Sequence, residues 1–154
     1  MPDTDVVLKE PVRSILRDKS GDIWSLEPEA TVYDAIALMA DKRIGALLVM
    51  EKGVLIGILS ERDYARKVIL QGKHSKELAV REIMTSPVIT VTPDDTVDAC
   101  MQIVTERRIR HLPVLEGTQV VGVISIGDLV RGVISAQSHT IRELASYITG
   151  EYPR

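Results

Sequence analysis

The sequence predicts a mixed α/β (α+β) protein made of one β-α-β-β-α unit that occurs twice. The first observation is an internal repeat, because Pro28 aligns with Pro93 at a shift of 93 − 28 = 65 residues. The second is that both copies show the same order of strand and helix patterns. Repetition at a fixed period determines the architecture before any single element does. Without a gap, the shift superimposes Thr31/Thr96, Val32/Val97, Arg43/Arg108, Ile44/Ile109, Leu47/Leu112, Val49/Val114, Gly57/Gly122, Ser60/Ser125, Asp63/Asp128 and Arg66/Arg131.

The first half of each copy is expected to be a short strand followed by a helix. The strands are predicted at Ile23 to Leu26 and at Val88 to Val91. Thr31 and Thr96 then occupy positions typical of a helix N-cap. Apolar residues recur behind them at helical spacing, which predicts helices with one buried face. These residues are Val32, Ala35, Ile36 and Met39 in copy one and Val97, Cys100, Met101 and Val104 in copy two.

The second half of each copy is expected to be a strand hairpin followed by a second helix. The hairpins are "ALLVMEKGVLIGIL" and "HLPVLEGTQVVGVI", with turns that contain Gly53 and Gly117. The second helix should begin at Ser60 in copy one and at Ser125 in copy two. A further helix is predicted from Thr140 to Thr149, before Gly150.

These elements divide the chain into a first domain at 8–72, a linker at 73–79, a second domain at 80–136 and a C-terminal helix and tail at 137–154. "VRSIL" at 12–16 matches "VREIM" at 80–84 at a shift of 68, so copy one carries three extra residues near a turn-rich Ser-Gly-Asp loop. Units of about 60 residues bury little core alone. We therefore expect the two copies to pack through their sheets with an internal pseudo-twofold axis.

Composition narrows the function. The chain has 154 residues with 19 Lys+Arg against 22 Asp+Glu, a formal charge of −3 that disfavours a general nucleic-acid binder. One cysteine and three scattered histidines predict neither a disulfide framework nor a metal site. The N-terminus shows no signal pattern and no apolar run is long enough for a membrane span, so we expect a cytoplasmic protein. No phosphate-binding loop, zinc-protease motif or nucleophile elbow is present, so we expect neither an enzyme nor a catalytic cofactor.

Three signals recur in register in both copies: Pro-x-x-Thr-Val, Ile-x-x-Leu-x-Val, and a Gly, two apolar residues and Ser-x-x-Asp. Over about residues 12–134 the sequence resembles a tandem pair of CBS domains, the Bateman module, of the stand-alone bacterial type. The resemblance implies a regulatory module that binds an adenosine-containing ligand, such as AMP, ADP, ATP or S-adenosylmethionine, in the cleft between the copies. AMP is the expected ligand, and NAD(H) also fits because it contains an AMP half. Homodimerisation and an unknown regulated partner are implied as well.

The residues themselves supply the chemistry that such a ligand needs. A helix start offers free N–H groups to a phosphate, and an aspartate can accept hydrogen bonds from the ribose hydroxyls. Strand residues would form the walls around the base. The candidates in copy one are Ile23, Trp24, Ser25, Gly45, Ala46, Ser60, Arg62 and Asp63, and those in copy two are Val88, Ile89, Thr90, Arg110, His111, Leu112, Pro113, Ser125, Gly127 and Asp128.

The two candidate sites differ in charge. In "TERRIRHLPV", Arg110 and His111 stand at the mouth of a strand, where their charge can reach a phosphate, whereas copy one has Gly45 and Ala46 there. Conversely, copy one has Arg62 where copy two has Gly127, which suggests that the sites exchange their phosphate donors.

Structural roles remain open for most of these residues. Ser-x-x-Asp is also a variant of the capping box, which stabilises a helix start in any protein. His111 can be a hydrogen-bonded structural histidine, and Trp24 can fill a core or dimer contact. Cys100 lies on the apolar helix face and is assigned to the core. The alternative function is a nucleotide-independent, dimerising interaction module.

Overall fold

The computed structural model describes residues 9–19 and 21–134, and it is a mixed α+β structure. Two compact units are present. The first-repeat unit comprises Asp22–Ile89 with Thr118–Val120, and the second-repeat unit comprises the described parts of 1–21, 90–117 and 121–154. The elements in chain order are α1 (Val12–Asp18), β1 (Ser25–Leu26), α2 (Val32–Lys42), β2 (Ala46–Glu51), β3 (Val54–Ser60), α3 (Glu61–Tyr64), a π-helical turn (Ala65–Ile69), a 3₁₀ turn (Val80–Glu82), α4 (Val97–Arg107), β4 (His111–Glu116), β5 (Gln119–Ser125) and α5 (126–134).

The first-repeat unit has a three-stranded sheet in the order β1-β2-β3. Strand β1 pairs parallel to β2, and β2 pairs antiparallel to β3 through a turn at Gly53, whose φ of 78° is readily adopted only by glycine. Thr31 caps the N-terminus of α2, and its hydroxyl accepts a hydrogen bond from the Asp34 backbone N–H at 3.1 Å. The predicted N-cap is therefore confirmed. The apolar face of α2 packs into a core with β2, β3 and Val80, which comprises Val32, Ala35, Met39, Leu47, Val49, Leu59, Val68, Val80 and Ile83.

The second-repeat unit repeats this plan with a shorter sheet. Strands β4 and β5 form a hairpin, and the expected strand at Val88 to Val91 is reduced to a single parallel bridge between Val91 and Val114. Thr96 caps the N-terminus of α4, and its hydroxyl accepts a hydrogen bond from the Ala99 backbone N–H at 3.1 Å. Cys100 is fully buried on this helix, and burial raises the pKa of its thiol to about 11, with a smaller contribution from Asp95.

The segments that lead into the repeats are exchanged. Residues 9–19, which precede copy one, belong to the second-repeat unit, whereas the 3₁₀ turn, which precedes copy two, belongs to the first-repeat unit. Each Val-Arg pair is hydrogen-bonded to the Pro-containing turn of the other copy, in equivalent geometry. The bonds are Val12 N to Asp95 O (2.8 Å), Arg13 N to Pro93 O (3.0 Å), Val80 N to Ala30 O (2.8 Å) and Arg81 N to Pro28 O (2.9 Å).

In each unit, a glycine of the sheet lies directly against a side chain of the exchanged segment. A Cβ added at Gly57 on β3 would overlap the Met84 thioether, and one added at Gly122 on β5 would lie 2.5 Å from Leu16 Cδ2. Both glycines therefore admit a side chain of the exchanged segment against the sheet. The predicted C-terminal helix at Thr140 to Thr149 lies outside the described residues. Within the described residues, no helix has the length and apolarity that crossing a membrane requires.

Candidate functional site

Each copy ends its hairpin in the same hydrogen-bonded turn. In copy two, Ser125 N donates to Asp128 Oδ2 at 2.8 Å and Asp128 N donates to Ser125 Oγ at 3.1 Å. In copy one, Ser60 N donates to Asp63 Oδ2 at 3.0 Å and Asp63 N donates to Ser60 Oγ at 3.1 Å. The helix starts predicted at Ser60 and Ser125 are confirmed, and both turns are reciprocal capping boxes. The capping interpretation is therefore confirmed. The capping bonds use only part of the hydrogen-bonding capacity of each carboxylate.

In each copy, the Ser-x-x-Asp turn lies beside the start of the first hairpin strand, where the sequence predicts the opposite wall of the site. Ile126 N donates to Arg110 O at 2.8 Å, and Glu61 N donates to Gly45 O at 3.0 Å. These are equivalent bonds, since both partners are shifted by 65 residues. They bring Arg110 and His111 to the start of α5, and Gly45 and Ala46 to the start of α3. Two predicted groups of site residues are thus neighbours in each copy.

Asp128 is the most strongly engaged carboxylate of the two sites. Lys19 Nζ lies 2.8 Å from its Oδ2 and also donates to the Val123 carbonyl oxygen, and Arg131 Nη2 lies 2.7 Å from its Oδ1. The Asp128 side chain is only 9% exposed. Burial acts to raise the pKa of Asp128, but the hydrogen bonds from Lys19 and from Ser125 outweigh it, so the pKa is lowered and the carboxyl is ionised at neutral pH.

Asp63 is held in a similar way by a different lysine. Lys67 Nζ lies 3.3 Å from Asp63 Oδ1, an i,i+4 pair, and donates to the Ile83 carbonyl oxygen at 3.0 Å. The Ser60 hydroxyl adds a hydrogen bond to Asp63 Oδ2 at 3.0 Å. The first site therefore takes its lysine from its own repeat, whereas the second takes it from the segment before copy one.

His111 is half-buried between cations at the second site. Burial is the main cause that lowers the pKa of its imidazole, Lys19 and Arg110 lower it further, and Asp128 partly opposes them. The ring is therefore neutral at pH 7. Arg110 is exposed and belongs to the same compact unit as Asp128.

Of the base-facing residues predicted in copy one, only Ser25 lies in β1, because the strand expected from Ile23 begins at Ser25. Ser25 is paired with Leu48 of β2, and both Ile23 and Ser25 are exposed. Trp24 is half-buried, and the ammonium group of Lys42 lies 4.4 Å from the centroid of its ring. One face of the indole is therefore covered by a cation.

The base-facing strand predicted in copy two, Val88 to Thr90, crosses the boundary between the two units. Val88 and Ile89 belong to the first-repeat unit, whereas Thr90 belongs to the second. Leu112 is fully buried in β4, so its side chain serves the core. Arg62 is half-buried, and at the equivalent position a Cβ on Gly127 would lie 3.3 Å from Arg131 Nη1. The absence of a side chain at Gly127 thus leaves room for Arg131 to fold back onto Asp128.

Sequence reasoning missed three cations that contact the two aspartates. Lys67 and Arg131 lie four and three residues after their partners, a spacing that places side chains on the same helix face and could have revealed both. Nothing local could have revealed Lys19, because it lies 109 residues from Asp128. Among the described residues, no cluster of His, Cys, Asp or Glu is arranged to hold a metal ion.

Comparison with known proteins gives one consistent result. The model of the CBS domain matches residues 12–69 and 80–135. CBSX3, a mitochondrial CBS domain-containing protein of Arabidopsis thaliana, is 42% identical over 144 residues, which is 88% of this chain and 69% of that protein. A CBS-domain protein from Burkholderia ambifaria MC40-6 has a solved structure with 50% identity and a TM-score of 0.80, covering 83% of this chain and 96% of the other.

A third relative was solved with ligands. The CBS domain pair of protein MJ0100, in complex with 5′-methylthioadenosine and S-adenosyl-L-methionine, is 27% identical with a TM-score of 0.70. The match covers 79% of this chain and 94% of that one.

Proposed function

The chain belongs to the CBS domain family, and we propose that it is a regulatory module that binds an adenosine-containing ligand, AMP above all, at its two Ser-x-x-Asp turns. Pairs of CBS domains are generally regulatory, ligand-binding modules rather than enzymes. The observation that carries the proposal is that, in both copies, a hydrogen-bonded aspartate lies in a turn beside the start of the first hairpin strand. The adenosine compounds bound to the MJ0100 pair support the same ligand class.

The ribose is proposed to bind to the aspartate of each turn. A carboxylate offers about four lone-pair positions and no donor, which matches a pair of adjacent hydroxyl groups. Hydrogen bonds to an ionised acceptor are stronger than neutral ones. Asp63 and Asp128 both present acceptor oxygens, and the capping bonds keep each carboxyl group in a defined orientation.

The phosphate is proposed to bind beside Arg110 in copy two. Its carbonyl accepts the Ile126 N–H, so its backbone is fixed at the start of α5, where the positive end of the helix dipole favours an anion. Copy one has no cation at the equivalent Gly45 and would rely on Arg62 or Lys67. The two sites are therefore expected to differ in their affinity for nucleotides.

A thermal-shift panel of AMP, ADP, ATP, NAD, NADH and S-adenosylmethionine tests the ligand class, and one variant tests the phosphate contact. In Arg110→Ala, the affinity for AMP should fall about tenfold, the lower end expected for a charge-assisted hydrogen bond at an exposed position. The affinity for adenosine should not change, because adenosine has no phosphate. Isothermal titration calorimetry measures both.

Arg107→Ala is the matched control, since it removes an exposed guanidinium from the last turn of α4. It should leave both affinities unchanged. Equal losses for AMP and adenosine in Arg110→Ala would refute the phosphate contact. If no compound on the panel shifts the melting temperature at millimolar concentration, the adenosine proposal itself fails.

A second candidate function, a homodimerising interaction module independent of nucleotide, rests on an apolar stripe on α5. Ile126, Val130 and Ile134 recur every four residues and are 41%, 40% and 55% exposed. Single exposed apolar residues are ordinary, but a stripe on one helix face favours contact with another protein. We propose that the protein forms a homodimer through this face, with or without bound ligand. We also propose that it is cytoplasmic and acts on a regulated partner there. Light scattering of the wild type and of Val130→Glu tests it, and a monomeric wild type at tens of micromolar would exclude it.

A further inference from the structure

Lys19 is a cation of the second site that comes from outside the second repeat. It follows α1 directly, and its ammonium group bridges two acceptors, Asp128 Oδ2 at 2.8 Å and the Val123 carbonyl oxygen. The Lys19 side chain is 35% exposed and that of Asp128 is 9% exposed. The contact is thus partly shielded from water, which distinguishes it from the exposed ion pairs that contribute little.

The first site shows what Lys19 replaces. There the lysine on the aspartate is Lys67, whose counterpart in copy two is Gly132, since 67 + 65 = 132. A Cβ on Gly132 would lie 3.8 Å from Ile15 Cδ1 of α1. The second repeat therefore has no lysine of its own at this position, where α1 packs. Lys19, directly after α1, supplies the ammonium group instead.

The lone pairs of Asp128 determine which cation a ribose would displace. Of about four lone-pair positions, Ser125 N, Lys19 and Arg131 occupy three. Two ribose hydroxyls need two positions, so one partner must leave. Arg131 is 74% exposed and makes one bond to Asp128, whereas Lys19 is half as exposed and is held by two acceptors. Arg131 is the weaker partner, and Lys19 remains in place.

From this geometry we propose that Lys19 is a positioning residue of the second site, and that ligand binding at Asp128 and docking of the leading segment (Val12–Lys19) stabilise each other. The proposal rests on the adenosine-binding function. Lys19 holds Asp128 in the orientation that accepts the ribose. A bound ribose in turn keeps Asp128 Oδ2 in contact with Lys19. Such coupling is reciprocal, so the factor by which the docked segment tightens the ligand is the factor by which the ligand tightens the segment.

The rest of the leading segment makes this coupling a means of signalling. Its docking also depends on Val12 N and Arg13 N, which donate to backbone carbonyls of the turn before α4. Leu16 packs against the sheet at Gly122. Val12 is fully buried, so the segment docks through apolar packing and backbone bonds as well as through Lys19. In the proposal, occupancy of the second site biases whether it stays docked. In copy one the lysine comes from the repeat itself, because Lys67 contacts Asp63 and donates to the Ile83 carbonyl oxygen directly after the 3₁₀ turn.

Hydrogen exchange of the full chain, followed by mass spectrometry on peptides that cover residues 12–19, tests the proposal with AMP as the probe. In the wild type, saturating AMP should slow exchange in this segment by about three- to tenfold. Lys19→Met should weaken AMP binding at the second site by the same factor and abolish the protection. Without ligand, Lys19→Met should already speed exchange in the segment, because the docked state has lost its bridge. Arg17→Met is the matched control, since it removes an exposed cation of α1 while Lys19 is retained, and it should behave like the wild type.

Each outcome decides between separate claims. If AMP binds the wild type but exchange in residues 12–19 is unchanged or faster, the coupling is refuted, and faster exchange would mean that the ligand displaces Lys19 instead of Arg131. If exchange in ligand-free Lys19→Met equals that of the wild type, Lys19 does not hold the segment and the proposal fails whatever AMP does. If AMP does not bind the wild type while ligand-free Lys19→Met exchanges faster, the structural link stands and the adenosine function is what fails. Rescue by Lys19→Arg, which retains the charge, would support positioning by the cation.

Discussion

Removal of the second aspartate should destabilise the ligand-free protein more than removal of the first. Asp63→Ala and Asp128→Ala each delete the same capping box at the start of a helix, so they differ only in what else each carboxylate holds. Asp63 loses an i,i+4 pair with Lys67 at 3.3 Å. Asp128 loses a 2.8 Å bridge that joins Lys19, directly after α1, to α5.

The difference can be estimated from these contacts. Loss of the cap costs about 0.5–1 kcal/mol in either variant. The Lys67 pair adds about 0.3–0.5 kcal/mol, the usual value at i,i+4, whereas the less exposed Lys19 pair adds ~1 kcal/mol, the upper end for partly exposed pairs. Arg131 is too exposed to contribute. We expect Asp128→Ala to lower the free energy of unfolding by about 1.5–2 kcal/mol, and Asp63→Ala by roughly 1 kcal/mol.

Urea denaturation followed by far-UV circular dichroism measures both values, and a double-mutant cycle of Lys19→Met with Asp128→Ala isolates the bridge. The cycle should give a coupling of about 0.5–1 kcal/mol. The pKa of Asp128 is lowered in the folded protein. The bridge therefore contributes fully above the pKa of about 3.9 that Asp has when unfolded, and its contribution disappears as the pH falls through the lower folded-state pKa. A coupling indistinguishable from zero at pH 7, or an equal loss in the two alanine variants, would refute the reasoning.

Two further predictions concern close packing and pH. Gly57→Ala places a Cβ against the Met84 thioether and should lower the free energy of unfolding by about 1–3 kcal/mol through overpacking. Gly21→Ala is the control, because no atom lies nearer than 3.8 Å to its added Cβ, and it should change the free energy of unfolding by less than about 0.5 kcal/mol. Equal effects of the two variants in urea denaturation would contradict the close approach. The pKa of His111 is lowered by burial and by the cations of the second site, so the unfolded chain binds a proton more readily. Stability should therefore be level above about pH 7 and should decrease as the pH falls from about 6.5 through the folded-state pKa of His111, and this step should disappear in His111→Gln if the histidine causes it.

The sequence by itself determined the duplicated architecture and the local geometry of both candidate turns. Thr31 and Thr96 cap their helices, and Ser60 and Ser125 begin theirs, because capping depends on residues within one turn of each other. Their hydrogen-bond partners lie three residues away, so they can be identified from the sequence. The strand mouths at Gly45 and Arg110 lie beside these turns for a related reason, since a hairpin brings its own ends together.

Only the tertiary structure decided which charges surround the aspartates. Two partners, Lys67 and Arg131, follow from helical spacing, but Lys19 reaches Asp128 because α1 docks on the second repeat and not on the first, with which it is nearly contiguous. That choice depends on backbone bonds to the turn before α4 and on the room beside Gly122 and Gly132. Neither leaves a periodic pattern in the sequence, because contacts between distant segments depend on the fit of whole surfaces and not on local spacing.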